Sequence, residues 1–136
     1  ARSNAAAFRN FRDPGGNYAF EMHQYLDPDS SGMKMQCEDA PVIRQRMAAA
    51  TNWLRTNKHK GFLGEFGAPP DAQCLASLDA LLDHMKQNAD VWMGWTYWAG
   101  GGWWGPHYPM SVQPVKGAAR PQAGILAKYS SQGARK

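Results

Sequence analysis

Two kinds of hydrophobic pattern alternate along this chain. One is a short segment rich in aromatic residues, and the other is a longer segment with apolar residues at helical spacing. Three short segments are rich in aromatic residues and contain no proline, which predicts strands over residues 18–25 (YAFEMHQY), 60–66 (KGFLGEF) and 91–98 (VWMGWTYW). After each of them, apolar residues recur at helical spacing, which predicts helices over residues 41–57, 71–87 and 120–129. The pattern therefore predicts a βα unit that occurs three times.

Repeated βα units favour an α/β fold in which parallel strands are joined by right-handed crossovers. We expect a single domain with a loop at its start and a tail at its end, divided at residues 1–17, 18–58, 60–88, 90–130 and 131–136. The order of the elements alone does not distinguish a doubly wound sheet from a barrel. Neither GxGxxG nor GxxxxGKS/T follows any of the predicted strands, which disfavours a nucleotide site.

Composition excludes several classes of protein. The 136 residues are 43% hydrophobic and 19% charged, which suits the core of one domain and argues against a disordered chain. The formal net charge of +4 is mild and the basic residues are scattered, so we expect no nucleic-acid partner. No apolar run approaches the roughly 18 residues of a membrane-spanning helix, so we expect no membrane partner. The four histidines lack ligand spacing, so we expect no metal and no cofactor.

The two cysteines, Cys37 and Cys74, leave two possibilities open. They do not form a CxxC motif, so neither a zinc site nor thioredoxin chemistry is indicated. Two buried free thiols are one possibility. A disulfide is the other, and it would stabilise the fold by about 3–4 kcal/mol and place the protein in an oxidising compartment.

Chemically distinctive side chains occur at the end of each predicted strand: His23 and Tyr25, then Glu65, then Trp98. The carboxyl ends of parallel strands face the ligand site in α/β proteins, so we expect these four side chains in one site. Tyr25 and Glu65 are 40 residues apart and Glu65 and Trp98 are 33 apart, close to a barrel's unit length of roughly 31 residues. A purely structural role for Glu65, paired with an arginine or a helix N-terminus, is the alternative.

Glu21 is a second glutamate whose position bears on this site. It lies two residues before His23, so strand geometry places both side chains on one face of the sheet, with Glu21 deeper. We therefore expect Glu21 to be a buried structural carboxylate rather than an acid catalyst.

Four segments together resemble the C-terminal part of glycoside hydrolase family 5 cellulases, the endo-β-1,4-glucanases: EMHQYLDPDSSG, WLRTNKHKGFLGEFG, DVWMGWTYWAGGGWW and RPQAGILAKY. The resemblance runs from about residue 18 to residue 129. It implies a partial (β/α)8 barrel, with these segments as the sixth to eighth βα units and the helices on the outer face. It also implies that β-1,4-glucan is hydrolysed with retention.

The same resemblance assigns roles to individual residues. Glu65 matches the family's nucleophile, Tyr25 the residue that hydrogen-bonds it, and His23 a residue that lines the site around the scissile bond. Trp98 matches the tryptophan beneath the sugar at the cleavage point. Trp103 and Trp104 are expected to extend that platform for a β-glucan or cello-oligosaccharide, with packing or loop anchoring as the alternative.

The resemblance also bears on the cysteines and on location. The two cysteines fall where related enzymes have a disulfide, which favours a Cys37–Cys74 bridge. A secreted or periplasmic location is expected on the same basis.

The chain departs from the family pattern in one major respect. The family's general acid is a glutamate in an Asn-Glu-Pro motif on the fourth strand, and this chain contains no such motif. Nothing in it matches the first four units, and residues 1–17 are expected to follow the fifth strand.

Three parallel strands cannot close a barrel, so we expect open sheet edges or faces and a homo-oligomer formed through them. The alternative to an enzyme is a catalytically inactive, self-assembling fragment that at most binds cello-oligosaccharides.

Overall fold

A computed structural model describes residues 4–130 of the chain. Its elements are helices α1 (Ala5–Phe8), α2 (Ala40–Thr56), α3 (Ala72–Gln87) and α4 (Pro121–Ser130), strands β1 (Phe20–His23), β2 (Gly61–Glu65) and β3 (Trp92–Trp95), and a 3-10 turn (Gly102–Trp104). The three predicted βα units are confirmed. Each strand is shorter than predicted at both ends, because the residues that flank it lie in loops. The tail predicted over residues 131–136 lies outside the described residues.

One short helix occupies part of the segment that we expected to be a loop. Helix α1 consists of three alanines, which are good helix formers, followed by Phe8. It is held against the domain because the indole Nε1 of Trp53 donates a hydrogen bond to the carbonyl of Ala5 at 3.2 Å. The ring of Phe8 also lies 5.4 Å from that of Phe20.

The sheet is parallel, with β2 between β1 and β3. Phe20 pairs with Gly61 and Met22 with Leu63, but the next residue, His23, pairs with Glu65. Gly64 is therefore skipped in the register. The carboxyl ends of the three strands lie at one edge of the sheet, as their parallel direction requires.

Helices α2 and α3 begin at the aspartates expected of good N-caps. The carboxylate of Asp39 accepts a hydrogen bond from Val42 N at 3.1 Å, and Pro41 lies in the first turn of α2. Asp71 caps α3 in the same way through Cys74 N at 3.0 Å. Each such cap stabilises its helix by about 1 kcal/mol.

The helices cover one face of the sheet and form the core with it. The predicted apolar stripes supply most of this core: Ile43, Met47 and Leu54 of α2, Leu78, Leu81, Leu82 and Met85 of α3, and Tyr129 of α4 are buried against Leu63 and Trp92 of the strands.

Within residues 4–130, no helix is both long enough and apolar enough to cross a membrane.

A disulfide joins Cys37 to Cys74, so the alternative of two free thiols is excluded. The bond closes a loop with a sequence separation of 37 residues and stabilises the fold by about 3–4 kcal/mol. It attaches the loop after β1 to the first turn of α3. The side chain of Gln73 strengthens this junction by donating to the carbonyl of Cys37 at 2.7 Å.

A chain of side-chain hydrogen bonds crosses the core between α2, α3 and β3. The indole Nε1 of Trp92 donates to Thr51 Oγ1 at 2.9 Å, and the same oxygen lies 2.8 Å from Nε2 of His84. Burial, reinforced by the positive charges of Arg44 and Arg55, lowers the pKa of His84 below its usual value. The folded protein therefore favours a neutral imidazole at this position.

This burial predicts a loss of stability in acid. In the unfolded chain His84 takes up a proton near pH 6.5, whereas in the folded chain it does so only at lower pH. The contribution of neutral His84 to the free energy of unfolding is therefore complete above pH 6.5. It is lost as pH falls through the pKa of His84 in the folded protein. We expect the free energy of unfolding, measured in urea, to decrease less between pH 7.5 and 5.5 in His84→Gln than in wild type. Equal decreases in the two proteins would contradict this assignment.

Candidate active site

Glu65 is the last residue of β2, and two of the predicted residues contact its carboxylate. The hydroxyl of Tyr25 donates to Oε1 at 2.5 Å, while Nδ1 of His23 lies 3.7 Å from Oε2. The Glu65 side chain is 25% exposed, so it is held in place but open to a ligand. Its described partners are thus a tyrosine and a histidine, rather than the arginine or helix N-terminus of the structural alternative.

Tyr25 is buried in the loop that follows β1. Gly32 closes over its ring: a Cβ atom at Gly32 would lie 2.7 Å from Tyr25 Cδ1, and its φ of +71° also favours glycine. Burial is the largest cause that raises the pKa of Tyr25, followed by the hydrogen bond to Glu65. The hydroxyl therefore keeps its proton at neutral pH and remains a donor to Glu65.

The loop around Tyr25 is held by a buried aspartate and an arginine. The carboxylate of Asp27 accepts hydrogen bonds from Ser31 Oγ at 2.8 Å and from Gly32 N at 3.0 Å. Arg46 of α2 donates to the carbonyls of Asp27 and Pro28 at 2.8 and 2.9 Å. Helix α2 thus fixes the loop that positions Tyr25.

Glu21 is not the buried carboxylate that we expected. It lies on the face of β1 opposite the helices, where its side chain is 55% exposed and its Oε1 is 2.8 Å from Nε2 of His23. The expectation that Glu21 and His23 share a face is confirmed, but the expectation of burial is wrong. The described helices cover the other face, which carries Phe20 and Met22.

Trp98 lies three residues beyond the end of β3, next to the loop that follows β2. Its backbone N–H donates to the carbonyl of Phe66, the neighbour of Glu65, at 2.8 Å, and the Trp98–Ala99 peptide bond is cis. A Cβ atom on Gly67 would lie 2.4 Å from the carbonyl oxygen of Trp98. The backbone of the Glu65 loop and that of Trp98 are therefore in direct contact.

The aromatic side chains of Trp98, Trp104 and Tyr108 form a cluster. Its Nε1 donates to the hydroxyl of Tyr108 at 3.0 Å, and its ring lies 4.8 Å from that of Trp104. Trp104 in turn stacks on Tyr108 at 4.9 Å. Tyr108 was missed by the sequence analysis, although its place in the tryptophan-rich loop is a usable signal. Trp103 points away from the fold and is 92% exposed.

The start of α4 anchors this aromatic loop. Arg120 donates to the carbonyls of Pro106 and Tyr108 at 2.7 and 3.3 Å. The buried amide of Gln122 donates to the carbonyls of Ala68 and Pro109, both at 2.8 Å, and so joins the loops after β2 and β3. The sequence analysis gave neither residue a role.

The arrangement provides a partly exposed carboxylate with one oxygen occupied by a hydroxyl donor, an imidazole beside the other oxygen, and a nearby aromatic surface. Such a site suits nucleophilic chemistry on a ligand with a flat apolar face.

Across the described part of the chain, no three histidine, cysteine, aspartate or glutamate side chains form a group that could hold a metal ion.

Comparison with known proteins gives consistent matches. The model of the cellulase family, glycosyl hydrolase family 5, matches residues 1–101. Endoglucanase gh5-1 of Neurospora crassa is 47% identical over 105 residues, and endoglucanase 3 of Humicola insolens is 44% identical over 115 residues. These matches cover 77% and 85% of this chain but only 27% and 29% of those relatives. The chain thus spans less than a third of their length.

Solved structures agree with these relatives. The endo-β-1,4-glucanase of Xanthomonas axonopodis pv. citri superposes with a TM-score of 0.90 at 46% identity, over 97% of this chain and 42% of that one. XacCel5A, solved in complex with cellopentaose, superposes with a TM-score of 0.89 at 50% identity, over 94% of this chain and 41% of that one.

Because Gly67 lies so close to Trp98, we expect an alanine at position 67 to destabilise the protein more than an alanine at position 102. In Gly67→Ala the new methyl group would collide with a backbone oxygen that cannot rotate away, so we expect the free energy of unfolding to fall by about 1–3 kcal/mol. Gly102→Ala is the matched control, because no atom lies within 4 Å of its added Cβ. Urea denaturation of both variants tests this prediction, and equal stabilities would refute it.

Proposed function

This chain belongs to the cellulase family, glycosyl hydrolase family 5, and we propose that the whole protein is an endo-β-1,4-glucanase that cleaves its substrate with retention. Its three parallel strands then form the sixth to eighth units of the family's (β/α)8 barrel. The observation that carries the proposal is the hydrogen bond from Tyr25 to Glu65 at the carboxyl edge of the sheet. The named endoglucanases among the relatives support the choice of β-1,4-glucan.

Glu65 acts as the nucleophile in this proposal. Tyr25 occupies Oε1, so the lone pairs of Oε2 are left to attack the anomeric carbon while the glycosidic bond to the leaving sugar breaks. The product is a covalent glycosyl-enzyme ester. Water then attacks the same carbon from the opposite face and gives a proton to the general acid, which lost its own in the first step; the Glu65 carboxylate is released and the original stereochemistry is restored.

The general acid comes from a part of the protein outside these 136 residues. Retention needs a second carboxyl group about 5–5.5 Å from the nucleophile, to protonate the leaving oxygen. Glu21 does not suit this role, because it binds Nε2 of His23 while Glu65 lies on the Nδ1 side of the same ring. The family's Asn-Glu-Pro motif, absent from this chain, supplies the acid elsewhere in the protein.

The aromatic residues form the sugar platform. The flat face of Trp98 stacks on the pyranose C–H groups at the cleavage point, and its bond to Tyr108 together with the ring of Trp104 fixes its orientation. Trp103 offers a further exposed indole for a neighbouring sugar. A cello-oligosaccharide ligand is supported by the related XacCel5A, which was solved with cellopentaose.

The protein acts in an oxidising compartment, secreted or periplasmic. The support for this location is the Cys37–Cys74 disulfide, since reducing compartments keep such thiols free.

Removing the nucleophile tests the proposed chemistry. We expect Glu65→Gln in the complete protein to lower the turnover of carboxymethyl-cellulose by at least about 10³-fold, as for other covalent nucleophiles. Glu38→Gln makes the same chemical change on a glutamate paired with Arg46 at 3.4 Å outside the site, and it should leave turnover near wild type. Turnover that survives Glu65→Gln would reject the nucleophile assignment.

A second function applies to this chain on its own: a non-catalytic fragment that self-assembles and binds cello-oligosaccharides through its tryptophans. Within residues 4–130, β1 and β3 each pair with β2 alone, so each has one free edge. Beside β1 lies a groove of about 790 Å³ whose lining includes Phe8, Phe20, Met22 and Trp53. A second copy of the chain is the occupant we propose for these open surfaces.

Sedimentation of the isolated chain tests this alternative. We expect a dimer or larger species, because an unpaired strand edge next to an apolar groove favours association. Tryptophan fluorescence should also change when cellopentaose is added, without hydrolysis. A single monomeric species would contradict the self-assembly.

A further inference from the structure

Three side chains lie in a row across β1 and β2, in the order carboxylate, imidazole, carboxylate. Nε2 of His23 is 2.8 Å from Glu21 Oε1, and Nδ1 of the same ring is 3.7 Å from Glu65 Oε2. Each nitrogen of the imidazole therefore faces a different glutamate. The carboxylate at the outer end, Glu21, has no role in the chemistry described above.

Space for the Glu21 carboxylate is provided by Gly64. A Cβ atom at Gly64 would lie 1.9 Å from Glu21 Oε1 and 2.7 Å from its Cδ, which is far inside van der Waals contact. Gly64 does not have the positive φ that would require glycine. The described glycines with a positive φ are Gly16, Gly32, Gly101, Gly105 and Gly117. Glycine at position 64 thus makes room for a carboxylate rather than for a turn.

The pairing contributes little to the fold itself. The side chains of Glu21 and His23 are both more than half exposed, and water screens the interaction between polar groups at such exposure, so the pair adds little stability. Among the described residues, the contact recorded for the Glu21 carboxylate is His23. What the contact does determine is the orientation of the imidazole and which of its nitrogens carries a proton.

We propose that Glu21 is a positioning residue that accepts the hydrogen bond from Nε2–H of His23 and thereby turns Nδ1 toward the Oε2 atom of Glu65. This inference rests on the proposed function, in which Oε2 is the attacking oxygen. The charged or titratable groups around the ring are Glu21 on β1, Glu65 on β2 and Tyr25 in the loop after β1. In this orientation Nδ1 is the ring nitrogen that faces the nucleophile, while Nε2 faces Glu21.

The direct test is the imidazole tautomer, read from the ¹⁵N chemical shifts of His23 in the complete protein without substrate. The signal is assigned by its loss in His23→Gln, and the pH is set high enough for the ring to be neutral. We expect the Nε2–H tautomer in wild type and in Glu21→Gln, which retains an acceptor oxygen. Glu21→Ala and Gly64→Ala should show a mixture of both tautomers, while Gly102→Ala should resemble wild type.

Kinetics on carboxymethyl-cellulose give the second readout. Because a positioning residue acts through His23, Glu21→Ala should lower kcat by about 10- to 100-fold, as for other residues that orient a functional histidine, with little change in KM. A wild-type tautomer in Glu21→Ala would overturn the positioning role. Loss of the tautomer preference with unchanged kcat would overturn its link to the reaction. Failure of the nucleophile assignment itself would instead appear as activity in Glu65→Gln.

Discussion

The shift of register between Met22 and His23 determines how the site is built. Up to Met22, β1 and β2 pair in step, but His23 then pairs with Glu65 and Gly64 is passed over. This single offset brings His23 level with Glu65. It also leaves Gly64, which has no side chain, next to the Glu21 carboxylate, where a Cβ atom would collide with it. Irregular strand pairing of this kind commonly re-aims side chains next to active sites.

The two faces of the sheet differ in what they carry: one packs in the core, and the other presents polar side chains of the candidate site. The helix-covered face holds the buried core, and the Trp92–Thr51–His84 hydrogen bonds cross from β3 to the helices. The opposite face carries Glu21 and His23, whose charges stay hydrated at about half exposure and so incur little desolvation cost.

Sequence patterns predicted the elements well because each pattern is local. Helical spacing located the α2 and α3 stripes, and the strand ends indicated Tyr25, Glu65 and His23 as neighbours. The register shift could not be predicted, since a period of two residues carries no information on which residue of the partner strand is skipped. The exposure of Glu21 was mispredicted because burial depends on which elements cover a face.

The roles of Tyr108, Arg120 and Gln122 escaped prediction for a different reason. Each acts through contacts made by irregular loops, and no periodicity of the sequence predicts such contacts. Gln122 illustrates this, because its amide joins Ala68, after β2, to Pro109, in the loop after β3. A glutamine near the start of a helix has no feature in sequence that distinguishes it from a solvated one.

The Glu65 carboxylate and the aromatic cluster of Trp98 are connected through the backbone rather than through side chains. Phe66, directly after Glu65, accepts a hydrogen bond from Trp98 N, and Gly67 lies against the Trp98 carbonyl. A movement of either loop therefore displaces both the carboxylate and the indole. The separation of the carboxylate and the indole therefore depends on how rigidly these loops are held. Gln122 of α4 and Arg120, directly before this helix, hold the loops through their hydrogen bonds to Ala68 and Pro106. The precision of the site thus derives from loop anchoring, the feature that the sequence pattern reveals least.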